Sequence, residues 1–279
     1  MPNISLAELP SSDCRGPVFV GGAGRSGTTL MRVMLDAHPR ICCGPELKVL
    51  PSIAEWYQTL TRNFASVMES YGNTTADLQR RFRDFIEGLL DNFRRASGKP
   101  RWAEKTPHNV MFMLSLGEIF PDARFIHLVR DGRDVACSLL TMNWINPHTG
   151  RKWDYVQNIA NAARYWRDVV TFVRQQAEHP TLTGRVLEVR YESLVADTEA
   201  TMRQVLQFIG EPWDDAVLSY HTKDRSHEPS EASTAQAIQP VTRRSIGRWQ
   251  TEMTRLDRAA FKAEAGELLK ALGYATEEW

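Results

Sequence analysis

Apolar residues in this chain recur with two spacings, and the spacing switches repeatedly along its length. Short, largely apolar runs occur at PVFVGG (Pro17–Gly22) and FIHLV (Phe125–Val129), and they read as buried strands. Trp102–Lys105 and RVLEVR (Arg185–Arg190), which carry charged residues, are further strand candidates. Between them the period becomes helical. Leu30, Val33, Met34 and Ala37 fall at i, i+3, i+4 and i+7 until His38 and Pro39 end the pattern. Leu78, Phe82, Phe85, Ile86, Leu89, Leu90 and Phe93 mark the core face of a longer helix that stops before Ser97–Pro100. Thr106 and Pro107 have the character of an N-cap and a first helical residue. Further helices are expected after Arg133 and over Tyr155–Glu178, Asp197–Ile209 and Leu256–Leu272.

Strands alternating with helices predict an α/β fold of three layers, with a mostly parallel central sheet flanked by helices. A polar tail, residues 1–16, precedes one expected domain at 17–279. The polar stretch at 222–244 is long for a passive connection and is expected to act as a lid or a nucleotide-covering loop.

Charge removes some functional classes. Lys+Arg and Asp+Glu both number 34, and a zero balance disfavours a dedicated nucleic-acid binder. No run of about 20 apolar residues is present to span a bilayer, and the opening residues lack a signal-peptide pattern. A cytoplasmic location is therefore expected. The four cysteines, Cys14, Cys42, Cys43 and Cys137, lack metal-pair spacing and read as buried reduced thiols rather than a redox pair.

The candidate chemistry begins at GAGRSGTT (Gly22–Thr29), between the first strand and the first helix. Gly24 and Gly27 let the backbone curl so that N–H groups converge, and the helix N-terminus adds partial positive charge. Arg25 and the hydroxyls of Thr28 and Thr29 are further donors. The spacing is that of a P-loop, but Thr28 stands where a nucleotide triphosphatase places its lysine. The loop is thus suited to a smaller anion than a triphosphate.

Two segments, RSGTTL (Arg25–Leu30) and FIHLVRDGRDVACS (Phe125–Ser138), resemble the two signatures of sulfotransferases that use 3′-phosphoadenosine 5′-phosphosulfate, PAPS. Within that superfamily the sequence is most similar to the tyrosylprotein branch, through Arg25–Glu46 and Gly210–Leu218. The resemblance implies a P-loop-type fold and sulfuryl transfer to an acceptor hydroxyl, of a peptide tyrosine or alternatively of a carbohydrate, lipid or small metabolite, leaving adenosine 3′,5′-bisphosphate. It implies no metal requirement. By the same resemblance Arg25 and the loop amides of Gly24–Thr29 hold the 5′-phosphosulfate. Lys105 steadies the leaving group, and Glu46 is the general base. Arg130 and Ser138 grip the 3′-phosphate, while Tyr191 and Ser233 are further nucleotide contacts. A homodimer is compatible with the resemblance.

Some positions depart from the tyrosylprotein pattern. Pro45 replaces an acidic residue, Lys48 replaces an arginine, and Gln239 replaces a lysine for which Arg243, Arg244 or Arg248 can compensate. His108 is a rival base, because the small-molecule branch uses a histidine. Other readings of the loop are a kinase or hydrolase and a noncatalytic nucleotide binder. Glu46 and Lys105 together argue against the latter, since a binder needs no paired base and electrophile.

Overall fold

Five strands run parallel in the order β2-β3-β1-β4-β5. They are Val18–Gly22 (β1), Ile41–Cys43 (β2), Arg101–Lys105 (β3), Arg124–Val129 (β4) and Val186–Arg190 (β5). The computed structural model describes residues 16–147, 149–225 and 237–275. Every residue of β1, β3 and β4 is buried, as the apolar runs of β1 and β4 require, and β3 is buried although it carries Arg101, Glu104 and Lys105.

Alternation along β1 divides the core. Phe19 faces one layer with Trp102, Phe125 and the helix Ile159–Ala177. Val18 and Val20 face the other, with the helices Thr28–Ala37 and Thr198–Ile209. The two layers are those of a sheet sandwiched between helices. We label the helices used below α1 (Thr28–Ala37), α2 (Leu50–Gln58), α3 (Ala65–Ser70), α4 (Thr75–Ala96), α5 (Met113–Ile119), α6 (Gly132–Leu140), α7 (Ile159–Ala177) and α8 (Tyr191–Ala196). No helix of the described residues is long and apolar enough to cross a membrane.

The structure corrects the sequence reading in several places. β2 is only three residues long, and α2 and α3 follow it in a region whose periodicity is weak. Helix α4 forms as expected and buries Leu78, Ile86 and Leu90. Its apolar arc is wider than the surface it covers, so Phe85 (56%), Leu89 (44%) and Phe93 (40%) remain exposed. Thr106 and Pro107 take the N-cap and first-turn places expected of them, but of a 3-10 segment, Pro107–Phe112, and without a side-chain cap, because the Thr106 oxygen accepts from the Lys48 N–H instead. The helix expected from Tyr155 begins at Ile159, where Asn158 accepts from the Asn161 N–H.

Charge pairing also ties the sheet to α7. The Glu188 carboxylate on β5 accepts from Arg174 Nη2 at 2.7 Å and Nε at 2.8 Å, and His127 Nδ1 on β4 lies 3.6 Å away. Burial alone pushes this carboxyl up, but Arg174 and His127 outweigh it and hold it at about 2 against an ordinary 4.5. A depressed folded value stabilises the fold fully above the unfolded value and is lost as pH falls through the folded one. Glu188→Gln should lower stability at neutral pH by about 2 kcal/mol, an amount reduced from the full linkage because solvent reaches the pair. In denaturant titrations the gap to wild type should close between pH 4.5 and pH 2. A gap that persists unchanged to pH 2 would contradict this assignment.

Candidate active site

In a parallel sheet all carboxyl ends share one edge, and ligands of open α/β sheets bind there. Each strand of this sheet delivers a residue to that edge. β1 leads into the Gly24–Thr29 loop, β2 into Glu46, β3 ends on Lys105, β4 leads into Arg130 and β5 into Tyr191. A cavity of about 1280 Å³ opens there, lined by Gly24, Arg25, Gly27, Thr28, Thr29, Glu46, Lys105, Arg130, Ser138 and Tyr191 among others. That volume accommodates a nucleotide together with a second substrate. Of the remaining expected residues, Ser26 is fully buried within the loop, its hydroxyl without a partner, and Ser233 lies outside the described residues.

The loop is held in a conformation that few residues tolerate. Arg25 and Gly27 have φ of 72° and 94°. A Cβ at Gly27 would lie 2.4 Å from Tyr191 Cδ2, so glycine is required both for the angle and for the approach of the ring. The Gly24 N–H donates to the Tyr165 hydroxyl at 2.9 Å.

Cations crowd one wall. Arg130 donates from Nη1 to the Arg25 carbonyl at 2.9 Å and from Nη2 to the Ser245 carbonyl, and its guanidinium lies 4.8 Å from the centre of the Tyr191 ring. Its Nε is buried without a partner. The Arg25 Nε donates to Ser138 Oγ at 2.9 Å. The structure therefore places the Arg25 side chain with Arg130 and Ser138, while the Arg25 backbone stays in the loop. Burial, followed by repulsion from Arg130 and Arg248, holds Arg25 below the usual arginine range. Converging like charges and an unpartnered buried donor suit a multiply charged anion.

The two arginines of the second signature are thereby separated. Arg133 is bound to Asp131 at 2.7 Å, donates to the Ala275 carbonyl and lies 3.8 Å from the centre of a Trp249 ring. It is structural. Around Gln239, Arg244 and Arg248 line the cavity, whereas the exposed Arg243 reaches the Ala196 carbonyl at 3.4 Å.

The other half of the cavity centres on an ion pair. Lys105 Nζ is 3.0 Å from Glu46 Oε2, with the lysine side chain 1% and the glutamate 18% exposed. His108 lies close by, its Nε2 3.5 Å from the Tyr165 hydroxyl. Although part of its ring is open to the cavity, the surrounding protein holds the imidazole below its usual range, against the opposing charge of Glu46. The Tyr165 phenol is pushed up to about 12, first by burial, so it remains a neutral hydroxyl.

Beyond this pair the wall is aromatic. Tyr155 stacks on Tyr165 at 4.4 Å and on Trp153 at 5.6 Å, and Trp144 packs edge-on to Tyr155 at 6.4 Å. The sequence reading missed this wall. Its residues come from a loop and a helix whose periodicity reports only the α7 core, and the available signal was the density of Trp and Tyr between 144 and 165.

A parallel α/β sheet with an anion-binding loop, clustered guanidiniums and a carboxylate–lysine pair defines a nucleotide-dependent group-transfer enzyme. A model of the sulfotransferase family matches residues 17–215, and the chain belongs to that family. It is 31% identical over 265 residues to protein-tyrosine sulfotransferase A of Caenorhabditis elegans, covering 92% of this chain and 67% of the relative. Identity to protein-tyrosine sulfotransferase 1 of Danio rerio is 32% over 266 residues, covering 92% and 72%. The Drosophila melanogaster protein-tyrosine sulfotransferase is 29% identical over 268 residues, and the match spans 92% of this chain but 51% of that relative. The fold is shared with the sulfotransferase domain of the Synechococcus PCC 7002 olefin synthase, at TM-score 0.65 and 22% identity over 96% of this chain and 98% of the other.

The clustered guanidiniums predict a phosphate grip at Arg130. Arg130→Ala should weaken adenosine 3′,5′-bisphosphate by roughly 10- to 100-fold in calorimetric titration, the worth of a charge-assisted contact. Adenosine 5′-monophosphate should be affected far less. Equal weakening of both nucleotides would show that Arg130 acts on the loop instead.

Proposed function

We propose that this sulfotransferase uses PAPS as its donor and a phenolic hydroxyl as its acceptor, the phenol being a tyrosine side chain or a smaller aromatic compound. The observation that carries the reading is the Glu46–Lys105 pair at 3.0 Å, set between the anion loop and the aromatic wall. The residues fit the donor: Arg130, with its unpartnered Nε, and Ser138 suit the 3′-phosphate. The Gly24–Thr29 loop suits the 5′-phosphosulfate. When bound, PAPS supplies a sulfuryl group on a phosphate leaving group.

The chain's own residues then divide the work. Glu46 takes the proton from the acceptor hydroxyl as that oxygen bonds to sulfur. Lys105 offsets the charge that accumulates on the departing phosphate oxygen as the sulfur–oxygen bond breaks. Trp144, Trp153 and Tyr155 offer flat apolar surface to an aromatic ring. Each of the pair neutralises the other, and a donor oxygen that takes Lys105 as its partner leaves Glu46 free to accept the proton. A second reading gives the proton to His108, supported by its place in the cavity and its depressed basicity.

A cytoplasmic location is proposed with it, supported by Cys42, Cys43 and Cys137, which are buried free thiols.

The test combines binding with turnover, in buffer without divalent metal. PAPS at a thousandfold excess over its Kd should stabilise the protein by about 4 kcal/mol. A panel of phenols, tyrosine peptides and aliphatic alcohols should then release adenosine 3′,5′-bisphosphate with the phenolic members only. Stabilisation by ATP with magnesium but not by PAPS overturns the donor. Release with aliphatic alcohols alone overturns the acceptor.

A further inference from the structure

Directly before Lys105 on β3 stands a glutamate that the reaction does not use. Glu104 is 2% exposed, and its carboxylate accepts three hydrogen bonds. They come from the Leu47 N–H at 3.0 Å, the Thr106 hydroxyl at 2.9 Å and the Asn109 side-chain amide. The Thr106 oxygen in turn accepts from the Lys48 N–H at 3.1 Å. The two backbone amides that follow Glu46 are therefore both fastened to the end of β3, one directly and one through Thr106.

This fastening holds a conformation the chain would otherwise leave. Lys48 has φ of 62° and is not glycine, so the turn beyond Glu46 persists only if its surroundings impose it. The cost of burying Glu104 points the same way. Burial pushes its carboxyl above the usual range, opposed by the bonds from Asn109, Leu47 and Thr106. A buried carboxylate with these partners is an acceptor cluster aimed at one segment, residues 46–48, and that segment carries the base.

We infer that Glu104 is a positioning residue that sets the Glu46 carboxylate at its 3.0 Å distance from Lys105, with Thr106 and Asn109 as its partners. The inference rests on Glu46 being the base. Displacing a reacting group by about 1 Å can cost on the order of 100-fold in rate, so the network should appear in kcat. At Glu104 it should not appear in donor affinity, because that side chain does not line the cavity, whereas Thr106 does.

The geometry allows a conservative rescue. In Glu104→Gln, one amide oxygen still accepts from Leu47 and Thr106, and the unpartnered Oδ1 of Asn109 can turn to accept from the new NH2. Glu104→Leu removes every acceptor at a similar volume. Thr106→Val removes the bond to Lys48 while keeping the volume.

The experiment measures kcat, acceptor KM, Kd for adenosine 3′,5′-bisphosphate and Tm in the full chain. Glu104→Leu should lower kcat roughly 10-fold or more, with Kd within about twofold of wild type, and Thr106→Val should lower kcat by a similar factor. Glu104→Gln should regain most of the kcat lost in Glu104→Leu. The inference is overturned if Glu104→Leu loses Tm but keeps kcat, if its Kd weakens in parallel with kcat, or if Glu104→Gln falls as far as Glu104→Leu. If Glu104→Leu does not fold, the kcat of Thr106→Val set against that of Glu104→Gln still decides. Glu46→Gln run alongside separates the two ideas: normal turnover there removes the base itself, whatever Glu104 does.

Discussion

Five parallel strands end along one edge of the sheet, and their hydrogen-bond register decides which residues meet there. Val20 pairs with Lys105, Gly22 with Leu128 and Val129 with Arg190, so the loop after β1, the last residue of β3 and the residues after β4 and β5 arrive at one height. Because side chains alternate along a strand, a slip of one residue in β3 would exchange Lys105 and Glu104. The lysine would turn toward the segment that Glu104 now fastens, and the glutamate would meet the anion loop. Burial of every residue of β1, β3 and β4 makes such a slip costly. The site thus depends on the core that fixes the register.

Charge is arranged around that edge in two halves. On one side guanidiniums crowd together, Arg25 held below its usual range by burial, Arg130 and Arg248. On the other, a lysine and a glutamate neutralise each other beside an aromatic wall. The first half gains by receiving an anion, and the second is altered when its lysine acquires a different partner. Tyr165 joins them: its hydroxyl accepts from Gly24 in the loop, and its ring stacks on Tyr155 in the wall.

Much of this was legible in the sequence because it is local. The strand, glycine loop and helix at 17–37 and the strand and loop at 125–138 each occupy one continuous segment, and the expected donor residues among the described ones collect at one cavity, Ser26 just beneath it. What was not legible is assembled from distant segments. β2 is three residues between Arg40 and Gly44, too short for a period to register. The exposure of Phe85, Leu89 and Phe93 reflects the limited surface available to α4, which periodicity does not encode. Thr106 has a good capping sequence, yet its hydroxyl is drawn to Glu104 and supports Lys48. Local propensity lost to a tertiary hydrogen bond there, at the segment that carries Glu46.

The central claim is that Glu46, poised against Lys105, takes the acceptor proton during sulfuryl transfer. It is tested most directly by a single-turnover assay with radiolabelled PAPS and a phenolic acceptor, comparing wild type with Glu46→Gln and His108→Gln. Glu46→Gln should bind adenosine 3′,5′-bisphosphate normally yet transfer label roughly 100-fold more slowly, while His108→Gln stays within a few fold of wild type. Near-normal transfer by Glu46→Gln, with the large loss appearing in His108→Gln, would contradict the account.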